Sequence, residues 1–207
     1  VKFSFTGEMK VEFGITFKRI KYENGEEGGW IEKESNLSVF GNARVSGNAL
    51  VYGNARVSGK AQVFGNALVY GNAQVSGNAR VSGNARVFGN AQVFGNARVY
   101  GDAWVFGNAL VYGNAQVSGN ARVYGNARVF GNALVYGDVW AKSPLYVQGS
   151  KDAATNCKHG YISIGCIIKT FAEWKVEYEQ IGKEYGYSAE AIAEYKKIID
   201  LFCEIGL

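Results

Sequence analysis

From Val39 onward the chain repeats with a period of six: VFGNAR, VSGNAL, VYGNAR, VSGKAQ, VFGNAL and so on, with Val in every sixth place to Val135 and Ala141 in the next. This makes eighteen units. In each but the last, Gly follows Val by two places, Asn or one of its substitutes (Lys60, Asp102, Asp138) comes next, and Ala follows until Val139 takes its place. Such a period matches neither a helix nor simple alternation, but it contains a short strand, Ala-x-Val-x, whose alternation puts Ala and Val on one face and the two variable residues on the other. Gly-Asn is then the corner, where Asn is expected to tolerate the left-handed conformation and Gly to add freedom and space. Three strands and three corners close a triangle, and eighteen units at three per coil stack six coils into a parallel β-helix, with Val filling the interior and Ala fitting where the walls converge.

Residues eighteen apart share a wall, so the outward positions sort into three faces. The first, around Val45 to Val135, is mixed and mostly polar. The third, around Val57 to Val129, is polar in its amino-terminal half. The second, around Val51 to Val123, reads Leu50/Tyr52, Leu68/Tyr70, Arg86/Phe88, Trp104/Phe106, Arg122/Tyr124 and then Trp140. Its second column is aromatic from Tyr52 to Tyr124. Aromatic stacking along the coils explains part of this, yet an apolar strip this long exceeds the usual exposed patch of a monomer, so this face is the expected oligomer interface.

The unit V-[FYS]-G-N-A-[RLQ] resembles the hexapeptide repeat of the left-handed β-helix superfamily that includes trimeric acyltransferases. The resemblance covers about half the chain, and it implies a left-handed coil and a homotrimer. The lead-in GGWIEKESNLS (28–38) and the segment ISIGCIIKTFAEWKVEYE (162–179) look similar to hexapeptide-repeat proteins of bacteriophages and prophages, some labelled transferases. A repeat is a scaffold, however, and activity has to be argued from a site.

The flanks differ in composition. Residues 1–38 alternate in KFSFTGE and KVEFGITFKRI, which predicts an N-terminal β cap with turns at Thr6–Lys10 and Glu23–Gly29 and Trp30 plugging the end of the prism. The solenoid spans 39–142, and 143–207 form a small C-terminal α+β module. There, Leu145–Gln148 and Tyr161–Ile168 read as strands with Lys151–Gly160 a loop. Thr170 and Glu173 form a capping box for a helix to about Ile181, and Ser188 caps a second helix to about Glu204. This module either closes the prism or projects from it toward a partner.

Chemistry is narrowly bounded. The single histidine, His159, lies beyond the repeats, whereas the resembled acyltransferases use a histidine on the coil walls as general base. Cys157, His159 and Cys166 match no standard zinc spacing, and the repeat glycines lack the Lys-Ser/Thr of a phosphate loop. No catalytic residue, metal or cofactor is expected. Three unpaired-looking cysteines, no apolar run long enough for a membrane span and no signal-peptide core point to a soluble protein of a reducing cytoplasm, the host's if phage-encoded. The repeats carry seven Arg and Lys60 against Asp102 and Asp138, leaving the flanks net acidic. Arg44, Arg80, Arg98 and Arg128 are therefore candidates for anion contacts, with ring side chains as stacking platforms for nucleotides or nucleic acid. The leading expectation is a non-enzymatic, oligomeric structural or interaction protein with an unknown protein partner. A nucleotide or polyanion-binding module and an acyltransferase or its inactive relic are the alternatives.

Overall fold

The computed structural model describes residues 2–207. Its protein is mainly β, a solenoid of about six coils followed by strands and two helices. Strands β1 (Phe3–Glu12), β2 (Ile15–Tyr22) and β3 (Glu27–Ile31) form the amino-terminal cap, and eighteen short strands follow from β4 (Leu37–Gly41) to β21 (Val139–Trp140). Strands eighteen residues apart pair in parallel, as in Arg80↔Arg98 and Val81↔Val99, and so build three walls. Many of each coil's amides donate to carbonyls of the next, for example Arg80 N to Ala97 O and Ser82 N to Val99 O, both at 2.9 Å. The Val and Ala columns fill the interior as the alternation predicts, and nearly all of those residues are fully buried.

The corners work differently from the expectation. Gly, not Asn, takes the left-handed conformation, with φ between 61° and 83° from Gly41 to Gly137. Successive glycines lie against each other, and a Cβ on Gly89 would sit 3.0 Å from the Gly107 nitrogen, so only Gly suits both the torsion and the spacing. Asn is thereby released to bond along the stack. Its Nδ2 donates to the Oδ1 eighteen residues on, at 3.0 Å in Asn72→Asn90 and Asn90→Asn108, and three such ladders run along the corners.

Both ends of the repeat depart from the strict period. In the first coil Leu37, not Val39, pairs with Val57 and is buried, while Val39 is 49% exposed, because two extra residues bulge out between Leu37 and Gly41. In the last, Trp140 pairs with Val123 one residue early, with Asp138 in a left-handed turn at φ 45°. The indole therefore enters the core at 0% exposure and Ala141 lies outside. An open terminal coil leaves a hole that an alanine methyl cannot fill and an indole can.

At the other end Trp30 is not the plug. It pairs with Leu50 on the outer wall, which turns its neighbour Ile31 inward beside Ile20 and Tyr22. The first chain reversal is at Phe13–Gly14, both at positive φ, as a two-residue hairpin demands. The expected turn at Thr6–Lys10 is instead a bulge within β1, where Gly7 has φ 95°.

The C-terminal module is an antiparallel sheet of β22 (Tyr146–Gln148), β23 (Ala153–Lys158), β24 (Tyr161–Ile164) and β25 (Ile167–Thr170), covered by α1 (Phe171–Glu184) and α2 (Ala189–Ile205). Both helix caps form as read: Thr170 and Glu173 exchange bonds, and Ser188 Oγ accepts from Ala191 N. The loop expected over Lys151–Gly160 contains β23, a central strand whose small and polar residues, ATNC, are buried on both sides and so show no alternation. The strand expected over Tyr161–Ile168 is two, joined at Gly165–Cys166, where Gly165 has φ 56°. The module packs on the last coil through Tyr146, which reaches the solenoid core, and through His159, whose ring meets Trp140 edge-on at 5.0 Å. Among the described residues no helix is long and apolar enough to cross a membrane.

Candidate interaction face of the solenoid

On the second face the spacing of parallel strands, about 4.8 Å, brings successive rings to stacking distance. Tyr52, Tyr70, Phe88, Phe106 and Tyr124 form one ladder with centroids 4.8 to 5.1 Å apart and planes within 8° of parallel. The β1–β2 hairpin closes its amino-terminal end. Phe17, fully buried, meets Tyr52 edge-on at 5.4 Å, and Phe13 stacks over it at 6.3 Å. Burial, and then the neighbouring Tyr70, push the Tyr52 phenol up to about 12.

The flanking column is also organised. Leu50 is covered, Leu68 is half-buried, and the guanidinium groups of Arg86 and Arg122 lie 4.9 and 4.8 Å from the Trp104 ring, one from the coil before it and one from the coil after. Trp104 also meets Phe88 edge-on. Cation–π contact thus absorbs two charges that otherwise interrupt an apolar strip. Ten of the eleven residues expected on this strip are brought together on one wall; Trp140 is the exception, being inside the prism.

A second, shorter ladder escaped the sequence reading. Phe94, Tyr112 and Phe130 stack on the third face at 5.0 and 5.6 Å and continue onto Tyr146 of the C-terminal module. Sorting residues eighteen apart on that face contained the signal. Phe13 and Phe17 had none, since only the folding of the hairpin along the wall puts them on the ladder.

The four candidate anion-binding arginines do not converge. Arg44 is taken up by the cap, with its Nη1 2.6 Å from Glu26 and its guanidinium over the Tyr22 ring. That contact, and then the Asn24 amide, hold the Glu26 carboxyl below its usual range. Arg128 is exposed on the third face. Arg80 and Arg98 are adjacent and share a shallow groove with Lys60, Asn78, Asn96 and Asn114.

The cysteine and histidine region is built as packing. Cys157 is fully buried rather than in an exposed loop, burial raises its thiol, and Cys166 is the exposed one, at the β24–β25 turn. Tyr136 beside Cys157 is pushed up to about 12, by burial first. The His159 backbone N donates to Asp138 Oδ2 at 2.8 Å, fixing the ring over Trp140.

With this geometry in view, the chain matches the family model described as the YdcK beta solenoid repeat over residues 39–53, 61–77, 79–91, 91–106, 103–119, 115–129 and 127–142. No curated protein matches it. The matched segments fall on the stacked coils and stop near Trp140, where the period breaks. The repeat region is therefore a β-solenoid whose units are similar to the YdcK beta solenoid repeat.

Proposed function

We propose that the chain is a non-enzymatic structural or interaction protein, a rigid solenoid that associates with copies of itself through its second face and holds its C-terminal module out toward a partner. The observation that carries this is the strip from Tyr52 to Tyr124 with Trp104 between two arginines. Its rings are only half-buried by stacking, and their outer edges remain available to a second apolar wall. The resemblance to trimeric β-helix proteins favours three copies around a common axis, the similarity of residues 28–38 and 162–179 to phage repeat proteins favours a phage or prophage setting, and three free thiols favour a reducing compartment. Acyl transfer is the weakest reading, because His159 packs on Trp140 at the end of the prism, away from the coil walls where the resembled enzymes place their base. A polyanion-binding role has one specific support: Lys60, Arg80 and Arg98 line a common groove, and among the described residues no carboxylate pairs with them.

Light scattering tests the assembly. Phe88→Glu with Phe106→Glu is expected to reduce the particle to a folded monomer, since the changes face outward and leave the core intact. Ser46→Glu with Ser82→Glu, on the first face, is expected to leave the mass unchanged. A parent that is already monomeric, or a double variant that keeps its mass, rejects the interface.

A further inference from the structure

The C-terminal module contains a cavity that neither the solenoid nor self-association uses. It lies between the β24–β25 turn and the helical pair, measures about 220 Å³, and is walled by Trp174, Tyr178, Ile181, Ile192 and Ile199. The walls are held in place. Trp174 donates its Nε1 to the Ile162 carbonyl at 2.9 Å. Gly182 lets α1 approach α2 at this point, since a Cβ there would lie 2.7 Å from Ile192 Cγ1.

One end of this apolar space carries a carboxylate, Asp152. Its Oδ2 accepts a short hydrogen bond from the Tyr187 hydroxyl. Burial, and then Asp152 itself, raise the Tyr187 phenol, so it stays a donor. The Tyr195 hydroxyl fixes the backbone beneath, donating to the Asp152 carbonyl at 2.6 Å and accepting from Lys151 N at 3.2 Å. Gly165, in its left-handed turn, lets the β24–β25 turn close on the carboxylate, for a Cβ there would lie 3.2 Å from Asp152 Oδ1. Among the described residues no lysine or arginine pairs with Asp152. The adjacent Lys151 bonds elsewhere, its Nζ donating to the carbonyls of Tyr185 and Gly186 at 2.8 and 3.3 Å and lying 4.3 Å from the Tyr187 ring centre.

A half-buried carboxylate without a counter-ion, at the end of an aliphatic and aromatic cavity, has a definite complement. An anion is repelled by it, and a neutral apolar molecule strips it of water without compensation. A protonated amine satisfies Asp152 through a charge-assisted hydrogen bond and gains from the surrounding rings, while its hydrocarbon part fills the apolar walls. We propose that this cavity binds a small primary ammonium ion carrying a short alkyl or aryl body, with Asp152 as its anchor. The site is independent of the scaffold reading and stands if the protein proves monomeric.

Titration calorimetry of the full chain with hexylammonium, hexanol and hexanoate at neutral pH provides the test. Hexylammonium is expected to bind about tenfold more tightly than hexanol, and hexanoate more weakly than either. Asp152→Asn keeps an acceptor for Tyr187 and is expected to erase the preference for the ammonium while leaving hexanol unchanged. Ile181→Trp, which fills the cavity, is expected to abolish binding of both, with the helical circular dichroism of the module retained. Equal affinity for ammonium and alcohol, no binding of any probe, or an Asp152→Asn protein that holds hexylammonium as the parent does overturns the proposal. The comparison of three probes needs no variant, so it decides the matter even if a substitution prevents folding.

Discussion

At the first coil the backbone offers mostly carbonyls and at the last mostly amides, because most N–H groups that bond between coils donate to the coil that follows. The amino-terminal cap accordingly brings mainly donors, with the Glu32 carboxylate accepting from Gly53 N. Trp30 N reaches Ala49 O at 3.0 Å, Glu32 N reaches Val51 O at 3.1 Å, and the buried Asn36 amide donates to both Gly53 O and Ala55 O, at 3.1 and 2.9 Å. The Tyr22 hydroxyl serves Val45 in both senses, donating to its carbonyl and accepting from its amide. The carboxy-terminal end brings acceptors: Asp138 O and Trp140 O for Arg122 N and Tyr124 N, Ser143 Oγ for Arg128 N, and the Tyr146 hydroxyl for Asn132 N. Both ends also seal the apolar interior, one with Ile20, Tyr22 and Ile31, the other with Trp140. The two caps are thus not interchangeable. Closing a solenoid requires matching the direction of its hydrogen bonds as well as covering its core.

The comparison is broken most severely by Trp140→Ala. It opens the carboxy-terminal end and is expected to cost about 3–5 kcal/mol in urea unfolding, as for other large aromatic truncations in cores. A loss below about 1 kcal/mol would mean that the C-terminal module, not the indole, seals that end. The polarity of the caps is sharpened by a pair of changes read by amide hydrogen exchange. Asn36→Asp replaces a buried donor with an acceptor facing two carbonyls and is expected to cost on the order of 3 kcal/mol, with exchange accelerating in the first coil and not in the last. Ser143→Ala removes one acceptor at the exposed opposite end and is expected to cost about 0.5–1 kcal/mol, with the pattern reversed. Equal acceleration at both ends in either variant contradicts a nearest-neighbour solenoid.

The smallest effect concerns the first rung of the aromatic ladder. The Tyr52 phenol in the fold ionises near 12 against an ordinary value of 10.0, so the folded chain holds this proton more tightly than the unfolded one. Its contribution to stability is complete below the ordinary value and is lost as pH rises through the raised one. Melting temperature followed from neutral pH to strong alkali is expected to fall less steeply in Tyr52→Phe than in the parent. Superimposable profiles show that Tyr52 is not desolvated by Phe17 and Phe13.

The solenoid and the module differ in how far their residues announced their places. In the coils each structural role recurs many times, so inside and outside, the three walls and the Tyr52–Tyr124 ladder were all readable from position alone. The roles of Gly and Asn were not, because both favour turns. Which of the two carries the positive φ depends on the glycine of the neighbouring coil, 3.0 Å from where a Cβ would be at Gly89. In the module each residue occurs once. The helix caps at Thr170 and Ser188 were legible because they are local, whereas β23 was not, since a central strand buried on both faces carries no alternation.

The period of six determined by itself that this chain coils, that Val and Ala lie within, and which residues share a wall, for those consequences need only strand alternation and a count. Tertiary structure alone decided where the coiling stops. Leu37 displaced Val39 and Trp140 displaced Ala141 because a terminal coil has a neighbour on one side only, and the interior is filled by whichever nearby side chain fits. It alone decided, too, that Asp152, Tyr187 and Trp174 meet around one cavity. Those residues come from a loop, an interhelical turn and a helix that local pattern does not relate, and the packing of the helical pair against the sheet draws them together.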